Sequence, residues 1–181
     1  ISLCSRMAVS LVIPTWNGRE ILERNLPSVR AALEAFAGGG EAIVVDDGSR
    51  DGTVAWLADA HPWVRTVARA ANEGFGASVN VGVAAARSEL VVLLNNDMRV
   101  EPGFLAPLLA PFGAERGLFS TTPRIVNRKF GGDEAITTCA FQMGLFGTNF
   151  PERNAAPSVS AAGAVSEVLF ACGGAAAFDR S

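Results

Sequence analysis

Apolar residues along this 181-residue chain fall into two rhythms. Short apolar runs at Val9–Pro14, Glu41–Val45, Val64–Val67 and Leu90–Leu94 read as strands, buried where the run is unbroken. Between them, apolar positions recur every three or four residues. Over Glu20–Phe36 the residues Leu22, Leu26, Val29 and Leu33 mark one helical face, and Pro27 within it predicts a kink or a late start. Thr53–Ala60 predicts a short second helix, and Gly76–Ala86 a third, rich in small residues. Phe104–Phe112 predicts a fourth, with Leu105, Leu108, Leu109 and Phe112 inward. Val64–Val67 is expected at or near a sheet edge. Strand and helix alternate, which predicts an α/β fold with a mostly parallel sheet. After Pro123 the rhythm weakens. Asn127–Phe150 reads as a loop or hairpin over the C-terminal edge of the sheet, and Leu169–Phe178 turns apolar again, with glycines.

Composition narrows the class. Hydrophobic residues make up 49% and charged residues 18%, which describes a chain able to bury a core and argues against disorder. A net charge of -3 without a basic block argues against nucleic acid as a partner. Cys4, Cys139 and Cys172 are an odd, widely spaced set with no Cys/His cluster, so structural zinc is not expected and free thiols in a reducing compartment are. No apolar run has the length of a membrane span, and no basic-then-apolar leader opens the chain. Residues 1–8 read as an extension before the first strand, and residues 9–181 as one domain.

The chemistry gathers where strands end. Asn95-Asn96-Asp97 closes Leu90–Leu94, and open α/β sheets bind ligands at the carboxyl ends of their strands. Asn95 and Asp97 offer hard oxygen atoms to a divalent cation, Mg²⁺ or Mn²⁺, which can in turn hold a diphosphate. A polar strand cap is the plainer reading of the same residues. Pro14-Thr15-Trp16-Asn17 ends the first strand; Thr15 and Asn17 can meet a ligand, or Asn17 can cap the helix that follows. Asp46-Asp47-Gly48-Ser49 ends the second. Adjacent carboxylates repel unless one meets a donor or a metal, so Asp47 is the stronger ligand candidate, while Ser49 or Asp51 can cap the next helix. Asn72-Glu73-Gly74-Phe75-Gly76, followed by Asn80 and Gly82, permits close backbone approach at a helix N-terminus. It lacks the Gly-Lys-Ser/Thr of a P-loop. His61, before Pro62, reads as a solvated turn residue, and Trp56 and Trp63 as core.

Together these segments resemble the family 2 glycosyltransferases of GT-A fold. The resemblance runs through Val9–Gly18, Val45–Thr53, Asn72–Gly76 with Asn80 and Gly82, and Leu93–Asp97, and it is strong from Val9 to about Glu101. Cys172-Gly173-Gly174-Ala175-Ala176-Ala177-Phe178 is similar to the family's glycine-containing acceptor-side strand. The resemblance implies a UDP-, dTDP- or GDP-linked sugar donor, transfer with inversion, and a glycan or lipid-linked acceptor. It places Pro14, Thr15, Asn17, Asp46, Asp47, Asn72, Gly74, Gly76, Asn80, Asn95 and Asn96 on the substrate and Asp97 on the metal. Thr15 and Asp47 match base-contacting positions, and Asn95 replaces the usual first Asp of the DxD-like motif. The Asn-Asn-Asp variant looks most like the rhamnosyltransferase-like branch of bacterial polysaccharide assembly.

The family's acidic general-base motif follows its Gly-Gly-x-x-x-Phe strand, and this chain ends at Ser181, just before that place. Residues 9–101 are therefore expected to be the nucleotide-sugar half and 102–181 the start of an acceptor half, with the base beyond Ser181 and the isolated chain inactive. Two other classes fit less of the pattern. A non-catalytic nucleotide-sugar binding module would also lack the base. A sugar nucleotidyltransferase would want a basic, Gly-rich loop after the first strand, for which Asn17-Gly18-Arg19-Glu20 is a poor substitute. The expected location is cytoplasmic, with peripheral contact at the inner face of the membrane.

Overall fold

The computed structural model describes residues 7–115, 117–123, 126–127, 134–135, 142–144, 147–149 and 174–180. Four strands and four helices alternate first: β1 (Val9–Thr15), α1 (Arg19–Ala35), β2 (Gly40–Asp46), α2 (Thr53–Ala60), β3 (Val64–Ala68), α3 (Phe75–Ala85), β4 (Leu90–Leu94) and α4 (Leu105–Ala114). Short strands follow: β5 (Ser120–Thr121), β6 (Val126–Asn127), β7 (Glu134–Ala135), β8 (Gln142–Gly144), β9 (Gly147–Asn149) and β10 (Ala175–Asp179). The main sheet has six strands in the order β3-β2-β1-β4-β10-β5, with β3 at an edge. Strands β1 to β4 are parallel, and β10 runs antiparallel between β4 and β5. Outside the main sheet, β8 pairs antiparallel with β9, and β6 antiparallel with β7. The three cysteines lie outside the described residues.

Period-two alternation sends the sheet's side chains to two cores. Leu11, Ile13, Val44, Val92 and Leu94 face Leu22, Leu26, Leu57, Leu105 and Leu109 of α1, α2 and α4. Val12, Ile43, Val45, Val91 and Leu93 face the side covered by α3. Each fully buried Leu or Val contributes roughly 1.5–3 kcal/mol relative to exposure. The α3 layer lies close because Gly82 has no side chain. A Cβ there would stand 2.2 Å from Val12 Cγ1 and 3.0 Å from Val45 Cγ2.

Three expectations change in detail. Gly18, not Asn17, sits at the N-cap of α1, and Asn17 has φ 46°. Its side chain is drawn away to a neighbouring turn. α1 runs through Pro27 without a break, because Pro27 and Glu23 face solvent, where water can replace the lost N–H. His61 is not a free turn residue. It closes α2 with its ring 4.6 Å from Trp56 and 6.2 Å from Trp63, and burial with the nearby Arg30 charge holds its pKa below 6.5.

Candidate functional site

Register places the parallel strand ends together: Thr15 pairs with Asp46, and Asp46 with Ala68. Buried Thr15 accepts a bond from Asn96 Nδ2 at 2.9 Å, joining the ends of β1 and β4. Gly18 makes room for this bond. A Cβ at 18 would lie 2.2 Å from Thr15 Oγ1 and 2.7 Å from Asn96 Nδ2. The first two turns are stitched to each other. Asn17 N–H donates to Ser49 Oγ at 2.7 Å, Arg50 N–H donates to Asn17 Oδ1 at 2.8 Å, and Arg19 N–H donates to Asp51 Oδ2 at 3.1 Å. The N-cap of α2 is Gly52, and Asp51 just before it accepts from Thr53 N–H at 3.1 Å and Thr53 Oγ1 at 2.5 Å.

The adjacent carboxylates at the end of β2 have different surroundings. Asp46 accepts Ser49 N–H at 2.9 Å through Oδ1, while its Oδ2 is buried without a partner among the described residues. Asp47 is held from three sides. Arg69 reaches Oδ1 at 2.6 Å, Glu73 N–H reaches Oδ1 at 3.2 Å, and Gly74 N–H reaches Oδ2 at 2.8 Å. Burial pushes the Asp47 pKa up. Bonds from Glu73, Gly74 and Ser78 and the Arg69 charge outweigh it and hold the carboxyl below 3.8. Arg69 also donates to Ser78 at 3.1 Å and pairs with Glu73 at 2.5 Å. Asp47 thus fixes the turn that carries Asn72, Gly74 and Phe75.

At the tip of β4, Asn95 N–H donates to Gly174 O at 2.9 Å, and the Asn95 side-chain oxygen is buried with no partner among the described residues. Asn25 of α1 donates to the Asn96 carbonyl at 2.9 Å, and Val100 N–H donates to Ser28 Oγ at 3.2 Å. The loop bearing Asp97 is therefore gripped from α1, and Asp97 itself is exposed. Among the described residues no cluster of three or more His, Cys, Asp or Glu could cage a metal. An unpartnered amide oxygen and a nearby exposed carboxylate do suit a cation that arrives already bound to a diphosphate, since such ions take only one or two protein ligands.

Between these tips lies a cleft of about 260 Å³, lined by Pro14, Thr15, Trp16, Asp47, Asn72, Gly74, Phe75, Ser78 and Asn96. Six of the sequence-derived candidates meet there: Pro14, Thr15, Asp47, Asn72, Gly74 and Asn96. Asn17, Asp46, Gly76, Asn80, Asn95 and Asp97 are not among its walls. Asn17 belongs to the stitch between turns, and Asn80 is exposed on α3. Trp16, Phe75, Ser78 and the supporting Arg69 are additions. The sequence signal for Trp16 is its position in the turn that ends β1, where a core residue has nothing to pack on.

The sequence profile described as glycosyl transferase family 2 matches residues 10–164. The chain belongs to this family. An undecaprenyl-phosphate 4-deoxy-4-formamido-L-arabinose transferase from Pseudomonas fluorescens is 36% identical over 98 residues, covering 52% of this chain and 29% of that protein. A dolichol-phosphate mannosyltransferase from Pyrococcus furiosus is 32% identical over 108 residues, covering 57% and 29%. The chain thus spans under a third of the length of these two family 2 relatives. The mannosyltransferase of Pyrobaculum calidifontis, solved with GDP-Man and Mn²⁺, shares the fold at TM-score 0.57 and 23% identity, over 67% of this chain and 36% of that one. S. aureus TarS with UDP-GlcNAc does so at 0.58 and 22%, over 72% and 38%. The fold is the GT-A glycosyltransferase fold expected from the strand-end motifs.

Proposed function

We propose that this chain is the donor-binding part of a metal-dependent glycosyltransferase that takes a UDP-, dTDP- or GDP-sugar and transfers the sugar with inversion. The observation that carries the reading is the cleft itself. It joins an exposed indole, Trp16, to Asp47 and to the Thr15–Asn96 bond at the carboxyl ends of parallel strands. A flat base can lie on Trp16 with its polar edge toward Asp47, whose Oδ2 accepts the Gly74 N–H. The diphosphate then extends toward Asn95 and Asp97. A bound Mg²⁺ or Mn²⁺ there would neutralise charge on the departing diphosphate. The solved neighbour that holds both GDP-Man and Mn²⁺ supports the pairing of nucleotide and metal.

The acceptor is a glycan or a lipid-linked phosphate, as the names of the undecaprenyl- and dolichol-phosphate relatives suggest. Such an acceptor favours work at the inner face of the cell membrane. Asn-Asn-Asp supports placement in the rhamnosyltransferase-like branch. Among the described residues no carboxylate is proposed as the general base. Asp179 pairs with Leu90 at the end of β4 opposite Asn95, far from the tip. Glu167 lies outside the described residues. Calorimetry with UDP, dTDP and GDP, with and without Mn²⁺, tests the reading. Binding should require the metal and weaken in Asp97→Asn. Equal binding by that variant would remove Asp97 from the metal role.

A further inference from the structure

We propose that Phe75 is a base-binding residue, a second aromatic surface beside Trp16 that stacks on the nucleobase of the donor; this rests on the nucleotide reading above. Among the described residues three large hydrophobic side chains are exposed: Trp16 at 56%, Phe75 at 53% and Phe119 at 72%. Phe119 has a ring partner, Phe178, at 5.8 Å. Trp16 and Phe75 instead line one cleft. Two exposed aromatic residues on one polar cleft suit a ligand with a flat face and a polar edge.

The placement of Phe75 is built in. Gly74, immediately before it, has φ 93° and ψ 170°, a backbone region open essentially to glycine alone. That conformation is pinned by the Gly74 N–H, shared between Asp47 Oδ2 at 2.8 Å and Asn72 Oδ1 at 3.1 Å. α3 begins at Phe75, and the Ser78 N–H to Gly74 O bond at 3.1 Å closes its first turn. Residues three apart share a helix face, so Phe75 stands above buried Ser78, which also lines the cleft. Asp47 thereby aims the aromatic ring as well as the polar edge. A side chain placed only to pack would face the sheet, as those of Val79 and Val83 do further along the same helix.

Stacking depends on the π-face that every base shares. Phe75→Ala should therefore weaken both UDP and GDP, each by about ten-fold. Binding of inorganic pyrophosphate with Mg²⁺ should not change, because it has no ring. Phe75→Tyr should keep nucleotide affinity, and Phe75→Leu, apolar but not flat, should lose it as Ala does. Melting curves of the variants should match the wild type, since the ring is exposed. Unchanged nucleotide affinity in Phe75→Ala, or an equal loss for pyrophosphate, would overturn the role of the ring while leaving the donor reading standing. A wild type that binds no nucleotide at all would sink both.

Discussion

Arg69 donates to Asp47 at 2.6 Å, and the two side chains are only 10% and 5% exposed. Arg69 lies just past β3 and Asp47 just past β2, so the pair ties two strand ends together beneath the cleft. Removing one member of a buried pair leaves a charge without its partner and costs about 3–5 kcal/mol. Arg69→Met should lower stability toward that range. Arg30→Met breaks an exposed pair with Glu34 and should cost well under about 1 kcal/mol. Urea unfolding of the two variants compares them directly.

Acid should loosen the site. The folded pKa of Asp47 is depressed, and so is that of Asp51, where burial raises it but bonds from Thr53 and Arg19 outweigh this. A depressed carboxylate stabilises the fold above its unfolded pKa, near 3.8 for both residues. That stabilisation fades as pH falls through the lower folded value, because the unfolded chain then binds more protons. Unfolding midpoints followed from neutral pH down to about pH 3 should drop. Asp47→Asn should flatten the slope. A slope as steep in Asp47→Asn as in wild type would place the acid sensitivity elsewhere.

Gly82→Ala should destabilise by about 1–3 kcal/mol, because its new methyl meets Val12 Cγ1 at 2.2 Å. Val12→Ala added to it should recover part of the loss. The double-mutant cycle gives the coupling, and strict additivity would show that the two positions do not collide.

Asn25 is not among the cleft walls, yet it donates to the Asn96 carbonyl and so holds the loop of Asp97. On the metal role proposed for Asp97, Asn25→Ala should weaken Mn²⁺-dependent nucleotide binding by about ten-fold, the usual effect of losing an outer support of a ligand. Titrating Mn²⁺ at fixed nucleotide separates this from base recognition. A loss that more Mn²⁺ does not offset would point to the base end of the cleft.

Local pattern carried the first half of the fold. β1 to β4 and α1 to α4 follow from apolar runs and helical faces, with ends moved by one or two residues. What local pattern cannot carry is pairing. Nothing in Ala175–Asp179 says that it inserts antiparallel between β4 and β5, since that depends on chain far away. The site divides the same way. Thr15, Asp47, Asn72 and Asn96 are legible because polar residues at strand ends need a reason. Arg69 is not, because its partner is 22 positions back along the chain. Asn17 read as a cap, but Ser49 and Arg50 compete for its polar groups. Phe75 is not legible either, because composition cannot tell an exposed ring from a buried one.

The tip of β4 receives its last backbone bond, Asn95 N–H to Gly174 O, from a segment made long after β4 itself. During synthesis β1 to β4 can fold as the ribosome delivers them, since their contacts run to earlier or neighbouring chain. The tip must wait. Until Gly174 emerges, Asn95 has a donor unanswered and β4 is an open sheet edge, the kind of surface to which another nascent chain can add. A chain stalled in this interval would carry the Trp16 and Asp47 walls of the cleft ahead of the finished Asn95 tip, and chaperone dependence should be greatest over that stretch of translation.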